Sequence, residues 1–207
     1  MMNPVLRRIA LLVGAASLLP WMRRPLEAHM AVHMLLHLPC VALLGAWSVS
    51  EWPALARRWY AALDWLGAAS FTFAVLVFSL WMIPVALDAS LLAGWVGLSK
   101  YLSVFAAGAV LRSAWSRSPP VLSLFMLGNL AWMLATAGML FQQAESRLCV
   151  SYLVDQQSIT GTGLIVWAVV VGIVALTRWM ASEPTEGDLA LKTTTAAPPA
   201  PRAHETG

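Results

Sequence analysis

Charge is scarce in this chain. Only 11% of its 207 residues are Asp, Glu, Lys or Arg, and the formal net charge is +3. So small and scattered a balance lacks the basic stripe that nucleic-acid binding needs, and no nucleic-acid partner is expected. Cysteine is scarcer still. Cys40 falls inside an apolar run and Cys149 in a polar connection, so the two sit at different depths and make a poor disulfide pair. No phosphate loop, dinucleotide fingerprint or serine-nucleophile elbow is present, and no nucleophile and base can be paired. The chain is therefore not read as an enzyme. Internal repeats and a soluble stretch long enough to form a core are missing as well.

What is present is apolar. Hydrophobic residues make up 59% of the chain, mean hydropathy is +0.71, and the few charges cluster at the ends of long apolar runs. That is the composition of a multi-pass membrane protein whose first partner is the lipid bilayer. The expected fold class is all-α, a polytopic transmembrane helix bundle of about six spans over residues 1–180, then a disordered cytoplasmic tail at 181–207 that is rich in Thr, Ala and Pro.

The apolar run at 9–22, flanked by paired arginines, reads as a short spanning helix rather than a cleaved signal peptide, since no A-x-A pattern comes after it. A second span covers 27–47. After it, SEWPALARRWYAALDW reads as a loop with a partly amphipathic interfacial turn. A third span is expected at 65–87, bent or ended by Pro84 with Asp88 at the water boundary, and a fourth at 90–111 with Lys100 near its middle. A lysine at that depth must face a partner or snorkel, and snorkelling is the expectation. A fifth span covers 120–141, and a polar connection leads to Asp155, Gln156 and Gln157 at the head of a sixth, 159–179, whose glycines at 161 and 163 permit close helix contact.

Basic residues set the orientation. With a cytoplasmic N-terminus the inside holds Arg7, Arg8, Arg57, Arg58, Arg112, Arg117, Arg178, Lys192 and Arg202, against Arg23, Arg24 and Arg147 outside. The excess favours both ends inside. The start of the histidine-bearing span, the turn at 84–88 and the segment at 155–157 then share the outer face.

That second span, EAHMAVHMLLHLPCVALLGAW, carries the most chemistry. On a regular α-helix His29, His33 and His37 fall within roughly 80° of arc, and Cys40 returns to the middle of the stripe. Met30 and Met34 lie beside it, so the face offers imidazole, thiol and thioether groups, donors suited to copper or zinc. His29 and His37 stand roughly 12 Å apart along the axis, too far to share one ion, so another helix must complete any site, with Met82 and Asp155 the leading candidates. The candidate metal residues are therefore His29, His33, His37, Cys40, Met82 and Asp155. The competing reading is that the histidines only bridge neighbouring helices by hydrogen bonds. Pro39 removes the bond its N–H would make to the Leu35 carbonyl and favours a kink.

These segments resemble the CtaG-type cytochrome c oxidase assembly factors, multi-pass bacterial proteins associated with copper supply to the oxidase. HMAVHMLLH at 29–37 is similar to that family's histidine motif, and WMIPVALDASL at 81–91 to its W-H-x-P-x-x-Y-D-x-x-L, keeping Trp81, Pro84, Asp88 and Leu91. LSVFAAG at 102–108 resembles H-L-S-F-L-L-A-G, keeping Leu102, Ser103, Ala107 and Gly108. DQQ at 155–157 with GLIVW at 163–167 resembles the closing D-Q-Q-x-x-G-L-I-M-W. Met82 and Tyr101 stand where the patterns have histidine, Leu87 where one has tyrosine, and Lys100 replaces an acidic neighbour. The resemblance implies a divergent assembly factor with copper as its metal and oxidase subunits as its partners. A haem-binding or other redox subunit and a structural membrane protein stay open as alternatives, as does a homo-oligomer. Haem is the weaker alternative, because no other span offers a facing histidine.

Overall fold

The computed structural model describes residues 16, 20–143 and 154–182. Most of the first apolar run, the connection with Arg147 and Cys149, and nearly all of the tail lie outside the described residues. Every regular element within them is helical. In chain order these are α1 (Pro20–Glu27), α2 (Met30–Glu51), α3 (Ala54–Leu63), α4 (Ala68–Leu80), α5 (Pro84–Leu92), α6 (Gly94–Ala114), α7 (Pro120–Gln143) and α8 (Val154–Met180).

Four helices, α2, α6, α7 and α8, are long and apolar enough to cross a membrane, or five spans if α3 and α4, which meet at 90°, count as one. The expected count of about six is not reached among the described residues, which leave out most of the first expected span. The difference among the described residues arises at 65–87. Pro84 has no N–H to continue α4, and its ring holds Ile83 in the extended region at φ −74°, ψ 124°, so a new helix starts there. What is left of the expected span is the 13-residue α4, about 20 Å long against a hydrocarbon core of about 30 Å. Gly67, at φ +75°, supplies the left-handed turn between α3 and α4; side chains other than glycine rarely take that conformation.

Two helix pairs are packed backbone to backbone. α2 and α6 run in the same direction, and a Cβ at Gly45 would collide with the Phe105 carbonyl just as one at Gly108 would collide with that of Ala42. α7 and α8 run antiparallel, with Gly138 and Gly161 each against the other's carbonyl oxygen. Small residues at such crossings give the close van der Waals contact that replaces the hydrophobic drive inside a bilayer. Around them Met30, Met34, Leu87, Leu130, Phe141 and Leu164 form the largest apolar cluster.

Candidate functional site

The histidine helix is not a regular α-helix. His29 is its N-cap, in extended conformation (φ −114°, ψ 117°), and exposed. His33–His37 then forms a π turn, in which the Leu38 N–H bonds to the His33 carbonyl five residues back. One extra residue in the turn rotates the remainder of the helix by roughly 100° relative to a regular α-helix. That rotation carries Cys40 off the stripe, and it is exposed. His33 and His37 remain inside, 0% and 5% exposed, with ring centroids 5.7 Å apart.

A buried polar cluster surrounds His33. Lys100, from α6, is 0% exposed and its Nζ lies 3.3 Å from Glu27 Oε1, 3.0 Å from His33 Nε2 and 2.9 Å from Ser90 Oγ. An ammonium has three N–H donors and no acceptor, so all three are engaged and His33 Nε2 must accept. The hydrogen of the neutral ring therefore sits on Nδ1, which has no hydrogen-bond partner among the described residues. Glu27 Oε1 also accepts from the Tyr101 hydroxyl at 2.6 Å, while its Oε2 lies 3.2 Å from Arg23 Nε. The Tyr101 ring closes the cluster, 4.9 Å below Lys100 Nζ and 5.2 Å from the His37 ring. Lys100 thus faces the interior and is paired, which corrects the snorkelling expectation. Four helices, α1, α2, α5 and α6, supply these groups.

Glu27 is the residue that sequence reasoning missed. It opens the histidine stretch, and the signal was available: a lysine in an apolar span calls for a buried carboxylate from another helix.

Of the six proposed metal residues the structure brings His33 and His37 together and leaves the other four apart. His29, Cys40 and Asp155 are exposed, and Met82 is half-buried against the apolar cluster that holds Met30 and Met34. Among the described residues no group of three His, Cys, Asp or Glu side chains is placed to hold a metal ion. The nitrogen of His33 that faces the cluster is already engaged by a cation. A copper ion bound through His33 Nε2 would have to displace the Lys100 ammonium from it.

The segments beside the site are fastened to it by individual side chains. Trp81 Nε1 donates to Ser103 Oγ at 2.9 Å, joining the end of α4 to α6. Gln156 Oε1 accepts from the Met30 N–H at 3.3 Å, answering a donor at the start of α2 that no side chain of its own helix caps. Trp167 Nε1 donates to the Leu35 carbonyl at 3.1 Å. Gln157 is buried and Asp155 is not, so the inward-facing members of the 155–157 segment are the amides.

Compared with known proteins, the chain matches no family model, no curated protein and no solved structure.

Proposed function

We propose that this protein is a membrane-embedded assembly factor for cytochrome c oxidase, seated in the bacterial cytoplasmic membrane with both ends inside, and acting by contact with an oxidase subunit rather than by catalysis. One observation carries the reading. Five of the residues that carry the resemblance, Trp81, Ser103, Gly108, Gln156 and Trp167, fasten one helix to the next. Motif residues that hold a particular helix arrangement are what a binding platform for another membrane subunit requires. In this reading the histidine helix is structural, and His33 serves as a hydrogen-bond acceptor for Lys100.

A second reading, in which copper is cargo handed on at this end of the bundle, is supported by the His33 and His37 rings 5.7 Å apart beside Tyr101. A strain lacking the gene tests both. Loss of assembled oxidase, seen in haem difference spectra and restored by the wild-type gene, supports the proposal; normal oxidase overturns it. Rescue by added copper selects the cargo reading, and failure of copper to rescue selects the platform. Reporter fusions after Ser50 and after Trp179 should both read cytoplasmic.

A further inference from the structure

The end of the bundle opposite Lys100 holds a different kind of site. An open cleft of about 830 Å³ lies where α2 and α6 end and α3 crosses them, and it is bordered by Arg57, Arg58, Arg112 and Arg117. Ser50, Ser113 and Ser116 add hydroxyls and Trp47 an aromatic wall, and the lining contains no acidic residue. Asp64, the acid that ends α3, has its carboxylate committed to the N–H groups of Ala69 and Ser70 and to the Ser70 hydroxyl. Arg117 is held in place by the Ser113 and Asp64 carbonyls, and its Nη2 is buried with no hydrogen-bond partner among the described residues.

The same end is built to sit at a membrane surface. Along α3, Leu55, Trp59 and Leu63 recur every four residues and are 66%, 66% and 83% exposed, which makes one apolar stripe. Arg57 and Arg58 lie off that stripe, toward the cleft. A helix with that division lies flat at the interface, its apolar side in the acyl region and its cations at headgroup depth. Exposed Trp47 and Trp65 flank it as interfacial anchors. A smaller hollow lined by Leu55, Trp59 and Ala62 shares Arg58 with the cleft, so an apolar path leaves the basic one on the lipid side.

We propose that this cleft binds the phosphate of an anionic phospholipid headgroup. Guanidinium groups pair with phosphate oxygens through two parallel N–H bonds, and four of them border a cleft whose lining has no acidic residue. The chemistry required is a phosphate monoanion or diester; its position at headgroup level beside an apolar hollow selects a lipid over a soluble phosphate.

The test uses the full-length protein in detergent. Phosphatidylglycerol, phosphatidylcholine and inorganic phosphate are added separately, and melting temperature and retained lipid after washing are measured. Phosphatidylglycerol should raise the melting temperature and be retained, with phosphatidylcholine doing neither. A juxtamembrane arginine strengthens binding to anionic lipid about fivefold, so the Arg57→Gln/Arg58→Gln pair should lower retention about 25-fold. These two side chains are exposed, so the variant should fold, and its melting temperature without lipid is the check. Inorganic phosphate alone should give no shift. A phosphate shift as large as that from phosphatidylglycerol, equal retention of both lipids, or unchanged retention in the variant overturns the proposal. None of these readouts depends on oxidase assembly, so the two proposals fail separately.

Discussion

The indole N–H of Trp167 donates to the carbonyl oxygen of Leu35, at 3.1 Å. That carbonyl is the one which Pro39, having no N–H, cannot answer in a regular α-helix. A side chain of α8 thus reaches a backbone acceptor of α2 inside its π turn, beside Pro39. Backbone groups inside a bilayer have no water to turn to, so a proline in a span is tolerated where a neighbouring helix replaces the missing donor.

Trp167→Phe keeps the ring and removes the donor. It should cost about 1–3 kcal/mol, the penalty for a buried acceptor left unanswered. Pro39→Ala, which restores an N–H to α2, should recover part of that loss in the double variant and little in the wild type. Thermal unfolding of the four proteins in one detergent measures the coupling. Additive losses would show that the two residues act independently.

Lys100→Met should destabilise the bundle by about 3–5 kcal/mol, because it leaves the Glu27 carboxylate buried without the ammonium. Adding Glu27→Gln should restore part of it, since the carboxylate that would be left with Arg23 as its cation goes too. A double variant as unstable as the sum of the singles would mean that the pair is not coupled.

Gly45→Ala and Gly108→Ala each force a methyl into the facing backbone of the parallel pair and should cost about 1–3 kcal/mol. Gly128→Ala, in α7, meets nothing within 4 Å, so it should leave the melting temperature unchanged or raised. Equal effects in all three would remove the case for close contact between α2 and α6.

His29→Ala, Cys40→Ser and Asp155→Asn replace exposed groups and should leave melting temperature and oxidase level at wild-type values. His33→Ala should lower protein abundance, and His33→Gln, which can still accept from Lys100, should recover some of it. Copper content that falls in His33→Ala protein of normal abundance would restore the metal reading.

Much of the helical frame is legible in the sequence. The expected 120–141 and 159–179 are close to α7 and α8, because both are uninterrupted apolar runs whose length a bilayer sets. Pro84 marks a bend or an end of the span, and as the first residue of α5 it also carries the local signal for a new start. The π turn, by contrast, is hidden. Composition does not reveal whether the bond from residue 38 goes back four residues or five, yet that choice separates Cys40 from His33 and so decides the whole stripe. Lys100 is visible, whereas its partner Glu27 lies 73 residues away and only the fold pairs them.

That separation also has a consequence in time. Parallel neighbours such as α2 and α6 cannot be laid down as one hairpin, and Lys100 leaves the ribosome about 4–15 s after Glu27 at ordinary synthesis rates. In that interval Arg23, one turn earlier on the same helix and 3.2 Å from Glu27 in the finished protein, is the cation that can accompany the carboxylate. Arg23 is then a temporary escort as well as a member of the final cluster. Arg23→Gln should accordingly lower the yield of inserted protein more than it lowers the melting temperature of the molecules that insert, a difference that pulse-labelling and unfolding of the same variant would measure.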